Sequence, residues 1–111
     1  MPHCIIEYSN GQDAELLCSA VFDAAQQSGL FSEDGSDIKV RASAFERYQT
    51  GGKRQSFIHV CLKILSGRTL EQRQALSQGV LENLAALATE VGSTSVEVVE
   101  MERASYSKRL A

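Results

Sequence analysis

Proline follows the initiator methionine, and the segment behind it, His3-Cys4-Ile5-Ile6-Glu7-Tyr8, reads as a buried β-strand. Once Met1 is removed, the chain begins with a secondary amine held at the end of a rigid strand. An α-amino group starts near a pKa of about 7.7–8.0, and withdrawal from water or nearby cations lower it, so Pro2 is a candidate general base at neutral pH. If Met1 stays, the same nitrogen is an amide and no base at all. Lys39 and Arg41 stand two apart in an extended segment, so they share one strand face and could hold an anion together.

Other reactive side chains carry less. Cys4, Cys18 and Cys61 are odd in number and lie within apolar patterns, which makes them small buried hydrophobes rather than a disulfide frame. His3 and His59 have no carboxylate at ligand spacing and read as packed or interfacial imidazoles, so no metal is expected. A formal net charge of −3 leaves no basic stripe for phosphates, which argues against nucleic acid as a partner. Any anion bound here is therefore small and met by a local cluster of cations.

The elements that must position these groups are legible in the hydrophobic pattern. With 111 residues, 43% hydrophobic and 23% charged, the chain suits one soluble domain over 1–111. No apolar run approaches a membrane span and no leader pattern opens the chain, so a cytoplasmic protein without membrane contact is the default expectation. After the first strand, Ser9 or Asn10 is placed to cap a helix running from about Gln12 to Ser28, with Leu17, Val21 and Ala24 at helical spacing and Gly29 as its stop. A second strand, Ile38 to Phe45, turns Ile38, Val40, Ala42 and Ala44 one way and Lys39, Arg41, Ser43 and Phe45 the other. Gly51-Gly52 fits either a tight hairpin or a plain surface loop.

A third strand, Ser56 to Leu65, places Ile58, Val60, Leu62 and Ile64 on one face and Phe57, His59, Cys61 and Lys63 on the other. Thr69 and Gln72 then form a capping box for a second helix, whose stripe of Leu70, Leu76, Val80, Leu84, Leu87 and Val91 ends at Gly92. Ser95 to Met101 supplies a fourth strand. The order is β-α-β twice, in halves of about 2–50 and 55–103. This predicts an α+β sandwich, with a four-stranded mixed sheet and both helices on one face. The other face, with Phe45, Phe57, His59 and Cys61, is too apolar for open water, so a ring-like homo-oligomer is expected to cover it.

Phe57 through Arg73, with its Gly67-Arg68-Thr69 turn and Glu71-Gln72 helix start, resembles the repeat unit of the tautomerase superfamily. The closest resemblance is to the 5-carboxymethyl-2-hydroxymuconate isomerase family, and it extends to Pro2-His3, the strand Ile5 to Ser9, and Arg41. It implies a tautomerase-like fold, a homotrimer, and a cofactor-free isomerase in which Pro2 carries a proton between carbons of a dianionic unsaturated 2-hydroxy or 2-oxo acid. The same resemblance assigns Arg68 to a substrate carboxylate, where free backbone N–H groups at the helix start also favour an anion. Either Arg41 or Lys39 then holds the other carboxylate or polarises the 2-oxo group; Lys lacks the bidentate fork of Arg. Arg73 aligns with a family arginine and is a further substrate-binding candidate, or else makes ion pairs on the helix surface. Glu97 falls where single-repeat relatives carry an active-site Arg, which leaves the first repeat to supply that cation. Two other readings stand beside the isomerase: a hydratase-like enzyme with protonated Pro2 as acid, and a non-catalytic trimeric binding protein.

Overall fold

The computed structural model describes residues 1–53 and 55–111. Strand β1 (His3–Ser9) leads through helix α1 (Ala14–Gln27) to β2 (Lys39–Phe45), and β3 (Phe57–Leu65) leads through α2 (Leu70–Leu87) to β4 (Ser93–Met101). Each β-α-β half joins parallel strands, and the halves meet where β1 and β3 pair antiparallel, giving the mixed sheet order β2-β1-β3-β4. The two-residue alternation decides what is buried. Cys4, Ile6 and Tyr8 of β1 and Ile58, Val60, Leu62 and Ile64 of β3 are buried with Leu17 and Val21 of α1 and Leu76, Val80 and Leu84 of α2. One helical layer thus covers one sheet face, as the pattern predicts. Among the described residues no helix is long and apolar enough to cross a membrane.

Several boundaries differ from the sequence reading. Asp13, not Ser9 or Asn10, caps α1, accepting from the Leu16 amide at 3.2 Å. Ser9 and Asn10 are committed to the sheet instead: the Ser9 hydroxyl accepts from the Phe57 amide at 3.0 Å, and the Asn10 amide donates to the Phe45 carbonyl at 2.9 Å. Gln12 therefore lies outside the helix, its side-chain Nε2 donating to the Ser9 carbonyl at 3.0 Å. The capping box of α2 forms as expected, with the Gln72 amide donating to the Thr69 hydroxyl and the Thr69 amide to the Gln72 side chain.

Helix α2 ends at Leu87 rather than Gly92, because β4 begins at Ser93 in register with Phe57 and the chain needs the residues between to turn back. Leu70, Leu81 and Leu87 are exposed, and the buried stripe narrows to Leu76, Val80 and Leu84. Gly51-Gly52 makes no hairpin, since β2 and β3 are not neighbours in the sheet. Cys4 is buried as expected, but Cys18 and Cys61 are only half-buried; all three are free.

Candidate functional site

Strands β1 and β2 begin, and β3 and β4 end, at the same edge of the sheet. Pro2 lies at this edge with its side chain fully buried, and its carbonyl accepts from the Lys39 amide at 3.2 Å. Register places Lys39 of β2 and Lys63 of β3 on either side of His3. The Lys39 ammonium donates to the Met1 sulfur at 3.1 Å, and the amine of Met1 lies 3.5 Å from the Asp37 carboxylate. Arg41, one strand pair further along, meets His3 Nδ1 at 3.4 Å.

The turn after β3 adds another cation. Gly67 has φ 119°, a conformation that side chains with a Cβ rarely adopt, which is the physical reason for glycine before Arg68. The Arg68 guanidinium then donates through Nη2 to the Leu30 carbonyl and stands 5.9 Å from the centre of the Phe31 ring, within cation–π reach. Arg73 turns elsewhere: its Nη1 is 3.7 Å from Glu100 of β4, and its buried Nε has no partner. Of the five sequence candidates, Pro2, Lys39, Arg41 and Arg68 converge on the start of β1, whereas Arg73 makes the helix-surface ion pair.

Burial at this edge disfavours protonation. Burial holds the Met1 amine below its ordinary value against the opposing pull of Asp37, and Lys108 and Arg68 push in the same direction as burial. His3 is likewise held below the usual imidazole range, by burial first and then by Arg41, Lys39, the chain start and Lys63. Asp37, Lys63, Lys108 and, from the tail, Tyr106 escape the sequence reading. Lys63 becomes visible only when the antiparallel pairing of β1 with β3 is known. Tyr106 and Lys108 lie beyond β4 in a segment with no periodicity to read, yet the Tyr106 hydroxyl is 3.0 Å from His3 Nε2. The signal for Tyr106 was its residue type alone.

Two other features lie away from this edge. On the uncovered sheet face, His59 bonds Ser95 at 2.7 Å through Nδ1 and Glu97 at 2.6 Å through Nε2. At the opposite end of the sheet, a cavity of about 400 Å³ between the starts of α1 and the end of α2 is lined by Asp13 and Glu90 and by no Lys or Arg. Its charge is the wrong sign for a dicarboxylate.

The fold recurs in solved structures. A protein designated Pt0534, inactivated by 2-oxo-3-pentynoate, is 19% identical with TM-score 0.82, over 96% of this chain and 90% of that one. A fused 4-OT solved as a symmetric trimer is 17% identical with TM-score 0.80, over 96% and 90%. A 5-carboxymethyl-2-hydroxymuconate isomerase from Deinococcus radiodurans R1 is 24% identical with TM-score 0.69, over 97% and 88%. No curated protein matches the chain. The model of the 5-carboxymethyl-2-hydroxymuconate isomerase family matches residues 2–110, nearly the whole length, and the chain belongs to that family.

Proposed function

We propose that this member of an isomerase family shifts a double bond in an unsaturated 2-hydroxy or 2-oxo dicarboxylate resembling 5-carboxymethyl-2-hydroxymuconate, with Pro2 as general base after loss of Met1. The observation that carries the reading is the buried start of β1 ringed by Lys39, Arg41, Lys63 and Arg68. Burial at the chain start, helped by Lys108 and Arg68, disfavours a protonated amine, so a neutral Pro2 nitrogen is available to take the 2-hydroxyl proton of a 2-hydroxy substrate or a carbon-bound proton of a 2-oxo one. Either loss leaves the electron pair on the 2-oxygen as a dienolate, whose charge the surrounding cations offset, and the proton is then delivered to a carbon of the conjugated chain other than any it left, so that the double bond shifts. Nothing is gained or lost, and no cofactor is needed for the balance. Lys39, whose ammonium reaches the Met1 side chain, and Arg68 suit the two carboxylates, with Arg41 acting beside His3. A homotrimer is proposed as the working assembly.

The test begins with mass spectrometry of the protein from its native host, which is expected to lack Met1. With 5-carboxymethyl-2-hydroxymuconate as substrate, Pro2→Ala is expected to lose at least about 100-fold in kcat, the scale of general-base catalysis. Full activity in a chain that retains Met1 overturns the proposal. Asp37 beside the amine favours the opposite charge state, which supports a second reading in which protonated Pro2 is an acid. The pH profile separates them: kcat/KM rises with pH through the Pro2 pKa for a base and falls for an acid.

A further inference from the structure

His3 has two partners of different kinds, and together they fix where its proton sits. Arg41 can only donate, so His3 Nδ1, 3.4 Å from Arg41 Nη1, must be the bare, accepting nitrogen. The proton of the neutral ring is therefore on Nε2, which then donates to the Tyr106 hydroxyl oxygen at 3.0 Å. With its oxygen accepting from His3, the Tyr106 O–H is not spent on the imidazole, and the described residues offer it no other acceptor.

The position of Tyr106 is also built, not incidental. After β4 the chain forms a short turn, Arg103–Ser105, and Arg103 clamps it to the end of β3 by donating to the Ser66 carbonyl through Nε at 3.2 Å and Nη2 at 3.1 Å. The Arg103 amide adds a bond to the Ser66 hydroxyl at 3.3 Å. This clamp lays the segment across the turn that carries Arg68 and brings Tyr106 edge-on to His3, with ring centres 6.2 Å apart. Lys108, two residues on, is near enough to the chain start to act on its amine.

We infer that Tyr106 is a further catalytic residue, whose hydroxyl donates a hydrogen bond to the 2-oxygen of the substrate as the dienolate forms. Arg41 and His3 are the positioning residues that keep this proton free, Arg41 by setting the tautomer and His3 by holding the phenol oxygen. The inference rests on the general-base reading of Pro2, because it needs a dienolate beside His3. A donor aimed at charge that develops in the transition state acts on kcat more than on KM.

Two measurements on the intact protein test it. With two histidines in the chain, ring ¹⁵N resonances can be assigned, and His3 is expected as the Nε2–H tautomer at neutral pH; an Nδ1–H tautomer overturns the inference, since the phenol proton would then be spent on His3. In turnover of 5-carboxymethyl-2-hydroxymuconate, Tyr106→Phe is expected to lower kcat by about 10- to 100-fold, as loss of a hydrogen bond to a charged group does, with KM little changed. Full kcat in Tyr106→Phe while Pro2→Ala is inactive overturns the role of Tyr106 and leaves that of Pro2 standing. Full kcat in Pro2→Ala overturns the general-base reading and this inference with it.

Discussion

Lys39, Arg41, Lys63 and the chain start crowd His3, so the charge state of the imidazole is set by burial and repulsion together. Because its folded pKa lies below the ordinary 6.5, neutral His3 stabilises the fold above that value, and the contribution is lost as pH falls through the folded pKa. Wild-type protein is therefore expected to lose more stability than His3→Gln between neutral and mildly acidic pH, measured by urea unfolding at each pH. Cys4 gives the opposite sign. Burial pushes its thiol up to about 11, so the neutral form stabilises the fold below the ordinary thiol value of 9.0 and that stability is lost as pH rises through about 11. Iodoacetamide at pH 8 is expected to spare Cys4 in the native protein and to label it in denaturant; rapid native labelling at Cys4, read by peptide mass spectrometry, would contradict its placement.

At the scale of elements, the turn between β3 and α2 carries the most consequence per residue. Gly67 holds φ 119° in open space, with the Arg103 guanidinium 4.0 Å from where a Cβ would stand, so its substitution costs backbone strain rather than a clash. Gly67→Ala is expected to cost about 1–3 kcal/mol in unfolding free energy and to displace Arg68 from the Leu30 carbonyl. A loss of activity larger than the loss of stability explains would mark the displacement as functional. Asp13→Ala removes the cap of α1 at the opposite end of the sheet and is expected to cost about 1 kcal/mol without affecting turnover. The pair therefore separates stability from site geometry, with thermal unfolding and kcat measured on the same samples.

For the whole molecule, the open sheet face is where self-association is expected. Helices cover one side of the sheet, while the other presents Ile5, Phe57 and Cys61, only half-buried, beside the polar line Ser95–His59–Glu97. An apolar strip crossed by satisfied polar groups is a surface suited to another copy of the chain, and the fused 4-OT relative is a trimer. The protein is expected to sediment as a trimer at micromolar concentration. Cys61→Lys would place a cation in the middle of that face, opposite Glu97 in register, and is expected to shift sedimentation toward monomer; an unchanged trimer would show that the interface lies elsewhere.

Periodicity alone was enough to read the four strands, both helices, the capping box at Thr69 and the face on which Lys39 and Arg41 stand, because these depend on spacings of two and about 3.6 residues along one stretch of chain. Helix ends were less legible. Ser9 and Asn10 have the chemistry of a cap, but their bonds to Phe57 and Phe45 belong to partners far along the chain, so Asp13 takes the role. Pro2, Arg41 and Arg68 could be nominated by residue type, position and resemblance. That Arg73 turns to Glu100, that Lys63 flanks His3 and that Tyr106 closes on it followed only from strand register and from the Arg103 clamp. The physical reason is the same in each case. A repeat spacing is a property of neighbours in sequence, whereas a site is a property of neighbours in space, and the tail that carries Tyr106 has no periodicity to announce where it will lie.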